Sequence, residues 1–224
     1  MACWYLAGVM RLRLEPRPHG RGNRRLEFLS SRSDGDLLFE VKAPAASRES
    51  DIYIGDGADI LQRALVEANS QFEKGRKNIL VLVPSTPVPI FVNRRQIVRA
   101  FIAEEVIRLD LDLEGGTLVN PRHELDPRGR FTRLWKNGGA PAPRYRRVGL
   151  VLSLEWEYFD RADFNAAIAR ERFYLPNTVL IKHNPLAVHN PYAEAPIGRE
   201  LFAHVPQLFS DTGPFQWSDG KRAM

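Results

Sequence analysis

The sequence predicts an α/β domain built on a mixed, twisted β-sheet, and three local features carry that expectation. The first is an Asp34-Gly35 turn between two apolar runs, Leu26 to Ser31 and Leu37 to Val41. Glycine accepts the positive φ of such a tight turn, so this reads as a β-hairpin. The second is Asp59 to Phe72, where Leu61, Leu65, Ala68 and Phe72 recur at spacings of three and four, the mark of an amphipathic helix. The third is the continuous apolar run Asn78 to Val83, closed by Pro84, which has the look of a strand buried on both faces at the centre of a sheet.

The remaining elements follow in chain order. Arg11 to Leu14 reads as a short strand, and the Pro, His and Gly stretch from Pro16 to Gly22 as a loop. Pro44 ends the second hairpin strand because it has no N–H for the ladder, and Ala45 to Tyr53 reads as a loop. Asp56 or Asp59 caps the first helix and Gly75 terminates it. A second helix is expected from Asn93 to Arg108 on the stripe Ile97, Val98, Phe101, Ile102 and Val106. Gly115 to Ala142, rich in Gly, Pro and Arg, reads as a long loop with a short hairpin through Phe131 to Trp135. Arg147 to Trp156 and Thr178 to Ile181 read as strands with a short helix, Ala162 to Arg170, between them. From Pro185 onward prolines including Pro185, Pro191, Pro196 and Pro206 predict a wrapped, mostly irregular arm, so the division is a domain over 1–184 and an extension packed on it over 185–224.

With 224 residues, 44% of them hydrophobic and 26% charged, the chain is long enough to enclose a core. Its apolar runs fall far short of the roughly 20 residues that cross a bilayer, and no basic leader precedes the apolar start, so a cytoplasmic protein without membrane contact is expected. One cysteine, Cys3, in a terminus expected to fray, excludes an internal disulfide and a thiolate zinc site. A net charge of +5 favours a polyanionic partner. Arginines gather at Arg11 to Arg25, at Arg94, Arg95 and Arg99, and at Arg144 to Arg147, three groups that either line one groove or lie on solvated faces.

Chemistry concentrates on the hairpin. Strand side chains alternate faces, so Leu38, Glu40 and Lys42 point one way while Phe39 and Val41 point the other. On the partner strand Leu26 and Phe28 are expected to join Phe39 and Val41 in the core, leaving Glu27 to converge on Glu40 and Lys42. Carboxylates bind Mg²⁺ through oxygen, the metal lowers the pKa of a bound water, and a lysine can orient that water, which is the set that phosphodiester hydrolysis requires.

An acid, a hairpin, then Glu-x-Lys at the end of a buried strand, followed by helix, apolar strand and helix, resembles the PD-(D/E)XK nuclease superfamily over roughly Leu26 to Val106. The resemblance implies a restriction-endonuclease-like fold and Mg²⁺-dependent endonuclease activity on DNA, with Mn²⁺ able to substitute. Carried onto this sequence, Glu27 and Glu40 are the metal ligands, Lys42 positions the attacking water and Gln62 on the first helix assists. Arg24, Arg25, Arg94 and Arg95 meet the DNA backbone, and a homodimer is allowed. The family's first acid is normally Asp, often after Pro, whereas Glu27 stands here, and the family's opening helix is short or missing. Those departures suit an alternative, the same fold with an inactive site acting as a nucleic-acid or protein binding module. A further alternative places an unrelated enzyme site at His183 and His189, within the two His-Asn-Pro sequences, which otherwise read as Asn-Pro turns ending a strand. Asp34 and Asp36 read as turn formers, Glu67 and Asn69 as solvated helix residues, Lys74, Arg76 and Lys77 as surface charge, and the aromatics near Trp156 and Trp217 as packing groups.

Overall fold

The computed structural model describes residues 2–16, 20–21, 24–43, 57–83, 97, 100–101, 105–112, 115–125, 131–133, 142–159, 172–175, 179–210 and 216–220. Among these, strands β1 (Glu15–Pro16), β2 (Phe28–Ser30), β3 (Leu37–Lys42), β4 (Lys77–Leu82), β9 (Leu150–Phe159), β11 (Val179–His189), β12 (Gln207–Phe209) and β13 (Gln216–Ser218) form one sheet in that spatial order. The strand β10 (Arg172–Leu175) pairs with β11. Strands β3, β4 and β9 are mutually parallel, while β2 joins β3 and β11 joins β9 antiparallel, so the α/β class and the mixed sheet are as expected.

The hairpin forms on the expected turn, with Gly35 at φ +110°, a conformation that L side chains rarely adopt. The acids of that turn serve structure. Asp34 accepts from Arg32 Nε at 2.9 Å and from Lys77 Nζ at 3.0 Å, which holds its carboxyl down at about 2, and Asp36 meets Arg76 at 3.3 Å. Helix α2 (Gly57–Gln71) connects β3 to β4, and the apolar run becomes β4, with Ile79, Leu80, Val81 and Leu82 fully buried between β3 and β9.

Alternation along these strands feeds two cores. On one face Leu38, Leu80, Leu82, Val151, Leu186 and Val188 pack under α2, whose Leu61, Ala64, Leu65, Ala68 and Phe72 point inward. Ile97, Ala100 and Phe101, which are helical, join the same cluster. On the other face Leu37, Phe39, Ile79, Val81, Leu150 and Leu152 pack against the N-terminal segment and against Phe202 and Val205. That segment is α1 (Ala2–Trp4) running into a π-turn (Tyr5–Val9), and it is docked rather than frayed, because Tyr5 and Leu6 are wholly buried.

Four expectations about secondary structure are corrected. Arg11 to Leu14 is not a strand; the first strand is β1 at Glu15–Pro16. The helix expected to reach Arg108 does not, since β5 (Glu105–Asp112) pairs antiparallel with β6 (Thr117–Leu125) in a separate two-stranded sheet. Arg108, Asp110 and Asp112 alternate with Ile107, Leu109 and Leu111, a period of two that outweighs the helical spacing ending at Val106. The long loop from Gly115 to Ala142 is thus partly strand, its Gly115-Gly116 pair making the β5–β6 turn. Near the expected hairpin, β7 (Thr132–Arg133) pairs with β8 (Ala142–Pro143). The helix at Ala162 to Arg170 lies outside the described residues.

The fourth correction is the C-terminal arm, which contributes sheet rather than irregular chain. Strand β11 runs through Asn184 and Pro185 to His189, pairing with β9 from Leu180↔Phe159 to His189↔Leu150. Proline is tolerated because of where its nitrogen points. Ala187 donates its N–H to Pro206 O at 2.9 Å on the β12 side, and two residues earlier Pro185 turns its nitrogen the same way. On that side β10 pairs with Val179 to Lys182 and β12 with Ala187 and Val188, so among the described residues no ladder bond is lost at Pro185. Beyond β11, His189 Nε2–H donates to the Gln207 side-chain oxygen at 2.8 Å, and Gln207 Nε2 donates to Phe202 O at 3.0 Å. Asn190 donates to Val148 O at 2.9 Å and accepts from Tyr192 N–H at 3.0 Å. Gly149 beside it has no room for a side chain, since a Cβ there would meet Ala195 O at 2.9 Å. No helix among the described residues is long and apolar enough to cross a membrane.

Burial pushes the His189 imidazole below its ordinary range, so the folded state holds it neutral. The unfolded chain then binds the extra proton first, and stability, full above the ordinary histidine range, declines as pH falls below about 6.5. His189→Gln is expected to remove that part of the decline. Melting curves of both proteins between pH 7.5 and 5 would test this; parallel declines would count against His189 as the cause.

Candidate active site

Glu40 stands on β3 where the chain leaves the core. The burial along Leu37–Lys42 runs from four buried residues to two half-buried ones, and Glu40 is the last buried position, only 3% exposed. As alternation predicts, it shares a face with Leu38 and Lys42, beneath α2. Lys42 Nζ lies 2.9 Å from Glu40 Oε1, forming a half-buried ion pair. The second carboxylate oxygen, Oε2, is buried without a hydrogen-bond partner. Burial raises the Glu40 pKa above the usual carboxylate range, outweighing the hydrogen bond and charge of Lys42, and the nearby Glu27 charge raises it further. The Gln71 amide pulls the other way, although its own Oε1 is buried and unpaired, as Glu40 Oε2 is.

Glu27 reaches this neighbourhood by a route that strict alternation misses. Register pairs Phe28 with Phe39, yet the Glu27 N–H also donates to Phe39 O, at 3.1 Å. Two residues of β2's approach therefore oppose one residue of β3, the arrangement of a β-bulge, and the chain bends at Glu27. The bulge shifts the phase. Leu26 packs with Leu38 under α2, while Phe28 packs on the opposite face with Phe39, so the expectation that Leu26 and Phe28 share a face is corrected. Glu27 itself is exposed.

Two residues read as solvated or passed over in the sequence belong to the site. Glu67 Oε2 lies 3.6 Å from Lys42 Nζ, so the ammonium sits between two carboxylates, one buried and one 65% exposed. Gln71 is one turn further along α2 on the same edge, because residues four apart stack on a helix surface. That i, i+4 pair, on the helix following Glu-x-Lys, was the signal available. Gln62 is buried on α2 but lies about 140° around the helix axis from Glu67, so it belongs to a different side of the helix. Ser153 faces the same side of the sheet as Lys42, two strands away through Leu82, and its buried hydroxyl has no partner.

Of the candidate backbone contacts, Arg24 donates to Ser70 Oγ and Arg21 donates its N–H to Gln71 O at 2.7 Å, which lays this arginine stretch across the end of α2. Arg25 is exposed. Arg94 and Arg95 lie outside the described residues. Lys77 and Arg76 are committed to the hairpin turn, and Lys74 pairs loosely with Glu194 at 4.0 Å. Backbone pairing places His183 opposite Trp156 within β11, and its side chain lies outside the described residues, whereas His189 is buried on Gln207 as a structural group. Among the described residues no three His, Cys, Asp or Glu side chains group as a metal site.

No family model matches the sequence, and no curated protein matches it. A solved structure, Pyrococcus furiosus SfsA in complex with Ca²⁺, is similar at 17% identity over 50% of this chain and 52% of its own, with a TM-score of 0.19. The chain thus spans about half the length of that structure, and likeness at this level assigns neither fold nor activity.

Because the folded state favours the protonated form of Glu40, its ionised form costs stability, increasingly so as pH rises through the raised pKa. Glu40→Gln is therefore expected to raise the melting temperature at neutral pH by about 2–4 °C, the shift that about 1 kcal/mol gives in a chain of this size. The gain should close as pH falls and the wild-type carboxyl protonates. Lys42→Ala, which strands the buried carboxylate, should lower it instead. A lower melting temperature for Glu40→Gln at pH 7.5 would contradict the assignment of Glu40 as a destabilising buried charge.

Proposed function

We propose that this chain is a cytoplasmic, divalent-cation-dependent endonuclease that hydrolyses DNA phosphodiester bonds on a restriction-endonuclease-like sheet. The observation that carries the reading is Glu40, a buried carboxylate with one oxygen on Lys42 and the other buried without a hydrogen bond, at the end of a strand in the order hairpin, Glu-x-Lys strand, helix, buried parallel strand. A buried anion with an unpaired oxygen is costly unless something cationic completes it.

The residues fit such a group. Glu40 and Glu27 offer hard oxygen donors, the kind Mg²⁺ takes one or two at a time while keeping water and substrate phosphate for its other positions. When bound, the cation supplies charge stabilisation and an acidified water. The chain's own groups do the rest. Glu40 is fixed by burial, which holds its oxygen in place without a reorganisation cost at the moment of reaction. Lys42 projects three donors from a flexible stem and can hold a water or a phosphate oxygen beside Glu40. Arg24 and Arg25, next to the end of α2, are placed to meet backbone phosphates, and preference for DNA rests on the family resemblance.

A second reading is favoured by specific observations: Glu27 is exposed on a bulge, and among the described residues no three His, Cys, Asp or Glu side chains are grouped so that they could hold a metal ion. It is the same fold without catalysis, binding nucleic acid or protein. Purified protein incubated with supercoiled and linear DNA, with Mg²⁺, Mn²⁺ or chelator, separates the two. Cleavage that requires metal and drops at least about 100-fold in Lys42→Ala is expected, the scale typical of losing one transition-state donor. Salt-sensitive DNA binding without any cleavage would favour the binding module instead.

A further inference from the structure

We infer that Glu67 is a positioning residue for Lys42: it is the carboxylate that receives the Lys42 ammonium when Glu40 takes up a divalent cation, and it thereby sets cation affinity at this site. The inference rests on the cation-dependent reading above, and goes beyond it by giving a role to a helix residue outside the Glu27, Glu40 and Lys42 set.

Lys42 and a divalent cation would conflict at Glu40. Lys42 Nζ lies 2.9 Å from Glu40 Oε1, so the ammonium already serves as the counter-ion that a metal would replace. A divalent cation on the same carboxylate repels that ammonium, and the repulsion is strong because Glu40 is buried and poorly screened. The conflict is relieved most directly by another anion within reach of the ammonium. Glu67 Oε2 is 3.6 Å from the same nitrogen, close enough for transfer by rotation of the lysine stem alone. Its place is fixed by α2, whose neighbouring Ala64, Leu65 and Ala68 are buried against the sheet. The side chain of Glu67 is 65% exposed, so holding the ammonium there carries little desolvation cost, and the displaced charge ends at the solvent edge, away from Glu40. Glu27, the other acid that acts on Glu40, is exposed, and no ion pair joins it to Lys42 among those the described residues make.

Among the described residues Glu67→Gln leaves Glu40 as the one carboxylate within 4.0 Å of Lys42, so the ammonium competes more strongly with the cation. The test is titration calorimetry with MnCl₂ on the full chain, for wild type, Glu67→Gln, Lys42→Ala and the double variant, with melting curves in chelator to confirm folding. Expected is a loss of about two- to fivefold in Mn²⁺ affinity for Glu67→Gln, the scale of one exposed ion pair. That loss should vanish in the Lys42→Ala background, and Glu67→Asp should restore part of it. An equal loss in both backgrounds would show Glu67 acting directly on the cation, and unchanged affinity in the single variant would show it idle; either overturns the inference. If wild type binds no Mn²⁺, the cation-dependent reading falls together with it. If the expected affinity pattern appears but DNA is never cut, nuclease activity fails while the role of Glu67 stands.

Discussion

A strand covered on both faces can carry a charge only where one of its covers runs out, and β3 meets that limit at Glu40. Leu37, Leu38 and Phe39 are sealed by α2 on one face and by the N-terminal segment on the other. Three residues on, Lys42 is 22% exposed in its side chain and reaches the edge of α2. Glu40 lies between, too deep to be solvated and close enough to the rim for an ammonium to reach it from outside. Much of the local structure serves this one placement. Strand β4 lies on one side of β3, with Glu40 opposite Leu80, while the β2 register stops at Phe39, and the bulge at Glu27 turns the chain away before it can cover the carboxylate. Whatever cost the buried charge imposes is carried by the apolar faces around it, where each fully buried Leu, Ile, Val or Phe contributes about 1.5–3 kcal/mol.

What could be read from the sequence was local. The hairpin rests on a glycine that must take positive φ, α2 on a repeat of 3.6 residues, and β4 on an unbroken apolar run, each a property of neighbours in the chain. The shared face of Glu40 and Lys42 follows from alternation alone, and the structure keeps it. What could not be read depends on register between distant segments. The Glu27 bulge is set by how two strands meet, and it reverses the faces of Leu26 relative to Phe28 without altering a residue pattern. The approach of Glu67 to Lys42 depends on the height at which α2 crosses the sheet, which no helical period encodes. The strand through Asn184-Pro185 was hidden by a rule about proline that is sound for a strand with two partners and does not apply where, among the described residues, one side carries no ladder bond.

The two His-Asn pairs show how the same letters acquire different meanings. At His189-Asn190 every polar group is assigned: imidazole to Gln207, amide to Val148 and Tyr145 carbonyls, amide oxygen to Tyr192. A histidine so enclosed, held neutral by burial, is a bracket between β11 and β12 and offers nothing to a substrate. The bracket matters to the candidate site all the same, because Asn190 bonds Gly149 and Gly149 bonds Asn78, near the start of the strand β4 that flanks β3. Displacing the C-terminal strands would therefore loosen β9 and β4 before it touched Glu40.

Charge completes the argument. Glu40, Glu67 and Glu27 with Lys42 amount to three carboxylates and one ammonium, a formal charge of −2 at the rim of α2. A structural ion pair would be neutral, and a surface patch would not bury its central acid to 3% exposure. This excess lies beside exposed or half-tethered arginines at Arg21, Arg24 and Arg25, and under the proposed reading a divalent cation would offset it and a polyanion would meet the arginines. An acidic centre of that magnitude next to basic chain is difficult to justify as packing, since each sign would be better off neutralising the other directly. Under the proposed reading a cation would occupy the first and a phosphate the second, with Lys42, which lies within reach of both Glu40 and Glu67, moving between these two carboxylates as they do so.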